Sequence, residues 1–139
     1  TEPLEQVILA IVVTTGIASI LLTAEHTIDY NTGLAHAIFY ALTSYPHIEQ
    51  NHLHGEVVGF GVLLLLLADG QYEVFETLHR FMRAVGLPVS PEDIQLTREQ
   101  ILDVIPKVCA MPDIHHNPYP ITEQLLRDAF DKLEKYHAK

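Results

Sequence analysis

The sequence predicts an all-α helical bundle, and three observations carry that expectation. Apolar residues recur at three- and four-residue spacing along most of the chain, and no segment alternates every second residue as a half-buried strand would. Gly, Pro, Asn and Asp fall between these segments, where helices stop and start. With 139 residues, 48% of them hydrophobic, the chain fits one domain with a substantial core.

The first element is an apolar helix over residues about 3–26. Val7 to Ala24 carries no formal charge and reaches the length of a membrane-span candidate. Thr14, Thr15, Ser19 and Thr23 dilute it, and no Lys or Arg flanks it to set an orientation. The basic stretch that opens a signal peptide is also missing. A helix buried on all sides in a soluble protein has the same composition, and a core helix is the expectation here.

Asp29 to Thr32 reads as a turn, after which Gly33 opens a helix that ends near Ser44, ahead of Pro46. A loop, Tyr45–Asn51, leads to a helix from about His52 to Ala68, closed by Asp69-Gly70. Tyr72, Phe75, Leu78, His79, Met82 and Val85 mark the next helix, which Gly86 and Pro88 stop. Ser90-Pro91-Glu92-Asp93 predicts a single turn with Pro at its first position. Thr97-Arg98-Glu99-Gln100 is a capping box leading the helix of Ile101, Leu102, Val104, Ile105 and Val108. Pro112, Pro118 and Pro120 punctuate a loop around His115-His116-Asn117. Ile121, Leu125, Leu126, Ala129, Phe130 and Leu133 mark an amphipathic last helix, for six or seven in all.

Charge narrows the function classes. The net charge is −10, and no basic stripe exists to displace counterions from nucleic acid. Residues 1–79 hold nine acids and no Lys or Arg, whereas residues 80–139 hold all eight bases against nine acids. An apolar, acidic half without long cations reads as the interior of a larger assembly or as an ordinary acidic surface. The lone Cys109 excludes an internal disulfide and agrees with a cytoplasmic setting.

The chemistry lies in two histidines, His36 and His54. His36 sits in Ala35-His36-Ala37-Ile38-Phe39-Tyr40-Ala41-Leu42-Thr43, and His54 opens His54-Gly55-Glu56-Val57-Val58-Gly59-Phe60-Gly61. Neutral imidazole is a good ligand for Zn²⁺ or Fe²⁺. A helix start disfavours protonation of His54 and keeps a lone pair available. Gly55 and Gly59 are expected to flatten one helix face for a close partner. His36 alone would read as a core histidine, and His54 alone as a helix cap.

The order AHAxxxxLT, a short loop, then HGExVxFG resembles the C-terminal helical domain of the iron-containing alcohol dehydrogenases, nearest the glycerol dehydrogenase branch. His116-Asn117-Pro118-Tyr119-Pro120-Ile121-Thr122 is similar to that family's HNxPxPxT ending. The resemblance implies a dehydroquinate synthase-like C-terminal domain. It also implies that residues 1–139 form one metal-binding part of a longer enzyme whose N-terminal nucleotide-binding domain lies elsewhere. In the family, two motif histidines and an upstream Asp bind the catalytic metal; His36 and His54 match the histidines, and the Asp has no counterpart here. No GxGxxG or GGGS run is present for the pyrophosphate of NAD. The implied cofactors are thus Zn or Fe through this chain and NAD through the other domain. The implied partners are a small alcohol or polyol, that domain, and further copies in a homo-oligomer. The implied reaction oxidises a secondary alcohol to a ketone, the metal lowering the hydroxyl pKa and the nicotinamide taking hydride.

One departure bears on substrate. Glycerol dehydrogenases carry Gly-Phe-Glu-Ser-Gly-Gly before the AHA motif, where this chain has Thr27-Ile28-Asp29-Tyr30-Asn31-Thr32-Gly33. A relative acting on hydroxy acids therefore stays open. So do two other classes: a non-enzymatic helical interaction subunit, and a membrane-associated helical protein anchored by Val7–Ala24. Among the remaining histidines, His52 reads as a loop residue or a cleft lining. Glu56 favours the helix start, with a hydrogen bond to a ligand imidazole as the other role. Glu25, His26 and Asp29 offer a surrogate third ligand. Surface roles suffice for His79, His115, His116 and His137, and Cys109 falls on an apolar stripe.

Overall fold

The run Leu63–Leu67 presents apolar side chains around a whole helix, so it needs cover from several directions. The computed structural model, which describes residues 2–25, 33–115 and 117–138, shows how the chain provides it. Among these residues lie seven α-helices and no strand: α1 (Glu2–Glu25), α2 (Leu34–Leu42), α3 (His47–Asn51), α4 (His54–Ala68), α5 (Tyr72–Ala84), α6 (Arg98–Cys109) and α7 (Glu123–His137). Helix α4 is central, packed by α2, α5 and α7, while α6 closes the bundle against α2 and α7. Its Val57, Phe60, Leu63, Leu64 and Leu67 are buried, and Phe75 and Phe130 meet them from α5 and α7.

Helix boundaries follow local chemistry. Gly33 caps α2 in an extended conformation, and its carbonyl accepts the Ala37 N–H at 2.9 Å. Gly70 and Gly86 adopt φ of 73° and 77°, the left-handed turn that ends α4 and α5. The Thr97 box forms as expected: its hydroxyl accepts the Gln100 N–H at 3.3 Å, and Gln100 returns an acceptor to the Thr97 N–H at 2.8 Å. Ser90–Asp93 also forms its single turn, a 3-10 turn over Glu92–Ile94. Burial, with the Asp69 carboxylate beside it, raises the Tyr119 phenol to about 12. The proline loop thus places Tyr119 near the end of α4.

Two expectations are corrected. The segment Tyr45–Asn51 is not all loop; Pro46 starts the short α3, which buries Ile48 completely. A single buried apolar residue gives no periodicity to read. Helix α1 is not a core helix of this chain. No residue of Glu2–Ile20 is buried, although its mean hydropathy is 1.7. Ile11, Val12 and Ile20 are 59%, 62% and 69% exposed. Hydrophobicity shows that a helix wants cover, but not what covers it, and the core closes through α2 and α4–α7 without it.

Helices α2 and α4 approach closely enough for backbone to meet backbone. A Cβ built on Gly61 would stand 2.7 Å from the Ala35 carbonyl oxygen and 3.1 Å from its Cα. The close contact expected at Gly55 and Gly59 is therefore at Gly61. Gly55 faces open space, and Gly59 would meet only the flexible tip of Met82, at 3.2 Å. Gly61→Ala is expected to destabilise the chain by about 1–3 kcal/mol, because backbone cannot step aside. Gly59→Ala is expected to be neutral or slightly stabilising, since Ala recovers roughly 0.5–1 kcal/mol of helix preference. Urea unfolding of both variants checks this; equal effects would remove the α2–α4 approach as the cause.

Candidate functional site

Helix α2 turns Leu34, Ala35, Ala37, Ile38, Phe39, Ala41 and Leu42 into the core, leaving His36 half-buried at its edge. His54 is the first residue of α4 and is exposed. Leu53 precedes it in extended backbone and donates its N–H to Glu56 Oε2 at 3.0 Å. That bond fixes the first turn of α4, the structural role expected for Glu56. The same carboxylate lies 3.8 Å from His52 Nδ1.

These constraints bring the two histidines together. Their ring centroids are 5.5 Å apart with the planes inclined at 42°. Phe39, buried on α2, meets the His54 ring edge-on at 4.4 Å and backs it from the core. Burial holds the His36 pKa below its ordinary value, the neighbouring His54 lowers it further, and Asp113 works against both. At neutral pH His36 is therefore the uncharged imidazole that a metal or a hydrogen bond to substrate requires. Asp113 is the site residue that sequence reasoning missed. It sits in the 3-10 turn Pro112–Ile114, which packs on α2, and in sequence it shows only as a turn-forming acid.

The donor set is two imidazoles. Among the described residues no group of three or more His, Cys, Asp or Glu is arranged to hold a metal. The Glu25 side chain, His26, Asp29 and His116 lie outside the described residues, as does the stretch 27–32. His52 is half-buried, and no described residue bonds its buried Nε2. Burial and Glu123 push the Cys109 thiol up, away from a nucleophilic thiolate. One reading is corrected: His79 is buried, 3% exposed, whereas His137 is exposed as expected, although its Nε2 lies 2.8 Å from that of His79. The helical period placed His79 on the apolar stripe of α5, but nothing in sequence pairs residues so far apart.

The chain is similar to known proteins over most of its length. Hydroxycarboxylate dehydrogenase A of Escherichia coli strain K12 is 31% identical over 109 residues, covering 75% of this chain and 30% of its own. Glycerol dehydrogenase of Citrobacter freundii is 35% identical over 101 residues, 68% of this chain and 27% of its own. The crystal structure of a probable glycerol dehydrogenase from Sinorhizobium meliloti 1021 superposes with a TM-score of 0.64 at 30% identity, over 76% of this chain and 31% of that one. The chain belongs to the glycerol dehydrogenase-like branch of the iron-containing alcohol dehydrogenase superfamily. Its helices match the C-terminal region of glycerol dehydrogenase, which bears out the all-α bundle expected of it. No family model matches the chain. It spans about a third of the length of the relatives it matches.

Because Glu56 closes the first turn of α4, Glu56→Ala is expected to cost about 0.5–2 kcal/mol, the scale of a lost helix cap. Amide exchange at Leu53 to Val57 checks it and should accelerate ahead of the rest of α4. A uniform change along the helix would contradict a local capping role.

Proposed function

We propose that this chain is the metal-binding C-terminal part of an NAD-linked dehydrogenase acting on a polyol or related alcohol, with His36 and His54 as two ligands of a divalent metal. The observation that carries this reading is the adjacent pair of imidazoles, one kept neutral by burial, on two helices whose backbones approach closely at Gly61. A metal held there supplies Lewis-acid chemistry at an alcohol oxygen, and NAD, through a nucleotide-binding domain, supplies the hydride acceptor. This chain's own residues do the positioning. Phe39 and the α2–α4 contact fix the two rings, and Glu56 fixes the turn that presents His54. The relatives include a hydroxycarboxylate dehydrogenase as well as glycerol dehydrogenases, which supports a small hydroxylated substrate and leaves both classes to be assayed.

His36→Ala and His54→Ala are each expected to lower metal occupancy and turnover together, by orders of magnitude, in the protein assembled with its nucleotide-binding domain. Elemental analysis showing full stoichiometric metal in the double variant would sink the assignment.

The 139 residues alone are expected to show no dehydrogenase activity and no specific NADH binding. Pyrophosphate recognition needs backbone N–H groups at a glycine-rich turn and helix start, and this sequence has no such run. Calorimetry with NADH, with and without zinc, checks this; a clean micromolar isotherm on the monomeric chain would overturn it.

A second reading has one observation in its favour. Glu2–Ile20 is long and apolar enough to cross a membrane, and none of it is buried. Against it stand Glu2 and Glu5 in the first turn and the lack of any cation before Arg80. Recovery of the chain only in detergent, at any salt concentration, would favour that reading over a soluble enzyme part.

A further inference from the structure

Away from His36 and His54, the described residues hold a second pair of histidines. His79 lies on the buried face of α5 and His137 is the last residue of α7, and their Nε2 atoms are 2.8 Å apart. The pair sits in an aromatic cluster. The Phe75, His79 and Tyr136 rings meet at 4.8–5.6 Å, with His137 5.0 Å from His79. On one side His137 lines a polar cavity of about 730 Å³, shared with His52, Glu56, Arg83, Ser90 and Asp93.

A nitrogen–nitrogen distance of 2.8 Å has a definite meaning for two imidazoles. One Nε2 carries a hydrogen and the other presents its lone pair. The donor ring can take an extra proton on Nδ1 and keep the bond. A second extra proton has nowhere to go except the acceptor Nε2, which sets two N–H groups and two positive charges head to head. We infer that His79 and His137 form a proton-sensitive latch, which holds the end of α7 on α5 while the pair carries at most one extra proton.

The surroundings agree. Desolvation is the first cause lowering both histidines, more firmly at the buried His79 than at the exposed His137, with His137 and Arg83 adding to it at His79 and Arg83 at His137. Glu92 and Asp93 on the adjoining 3-10 turn pull the other way. Asp93 is itself engaged: burial would raise it, but the Val89 and Ser90 N–H groups and the Ser90 hydroxyl hold it low. His52, just after α3, and Glu56 on α4 face the shared cavity and lie 3.8 Å from each other. Arg98 and Glu134, on the other side of His137, bind each other. The Tyr136 ring contacts both histidines. With folded values below the ordinary 6.5, the latch's contribution is full above that pH and is lost as pH falls below it.

The test is imidazole nitrogen NMR on the full chain labelled at histidine, from about pH 8 to about pH 5, the range in which His titrates. Expected is a scalar coupling between the two Nε2 atoms at neutral pH, lost in acid together with the second protonation. Amide exchange in the last turn of α7, corrected for its intrinsic pH dependence, should then speed up about tenfold or more, about 1.4 kcal/mol of lost protection. In His137→Gln, which can bond His79 without titrating, that acid step should vanish. The wild-type titration stands by itself if the variant folds poorly. Independent titration of the two rings with no change at the end of α7 would overturn the latch. So would an acid step that survives in His137→Gln, or tight uptake of one zinc ion by the pair.

Discussion

The missing side chain at Gly61 is the constraint on which the rest of the structure depends. Helix α4 can lie against the backbone of α2 only because nothing projects between them at Ala35. That approach puts the residue next to Ala35 within reach of the start of α4, so His36 and His54 face each other. It also lets Phe39 be buried and back the His54 ring at once. Core packing and site geometry here are one interaction seen from two sides. A change that loosens the first displaces the second.

Much of this was legible in sequence because helices announce themselves through period and punctuation. The starts at Gly33 and Thr97 and the stops at Gly70 and Gly86 each rest on local backbone chemistry, and each appears where that chemistry put it. The pairing of His36 with His54 was readable through motif resemblance, since spacing alone admits many arrangements. What failed was whatever depends on contacts between distant segments. The intimate glycine was expected at Gly55 and Gly59 but is Gly61, two residues beyond Gly59 and on nearly the opposite side of the helix, because sequence does not show which face of α4 meets α2. His79 was assigned to the surface for the same reason, its partner lying at the far end of the chain. Asp113 acts on His36 from a turn packed against α2 but distant in sequence, which no local pattern reveals.

Helix α1 marks another limit of composition as a guide. Its apolar residues surround the whole helix, so docking on one face would leave the others in water. The helices that do pack here, α5 and α7, are amphipathic and bury one stripe each. Cover for α1 is thus a different problem from cover for α4, whose leucines α2, α5 and α7 enclose from several sides.

The short path between the two site histidines has a kinetic consequence. His36 and His54 belong to helices joined by a brief connection containing only α3, so bringing them together closes a small loop. Loop closure of that length costs little chain entropy, and contacts near in sequence form early in folding. The histidine pair therefore belongs to a helical hairpin that can assemble before the C-terminal helices arrive.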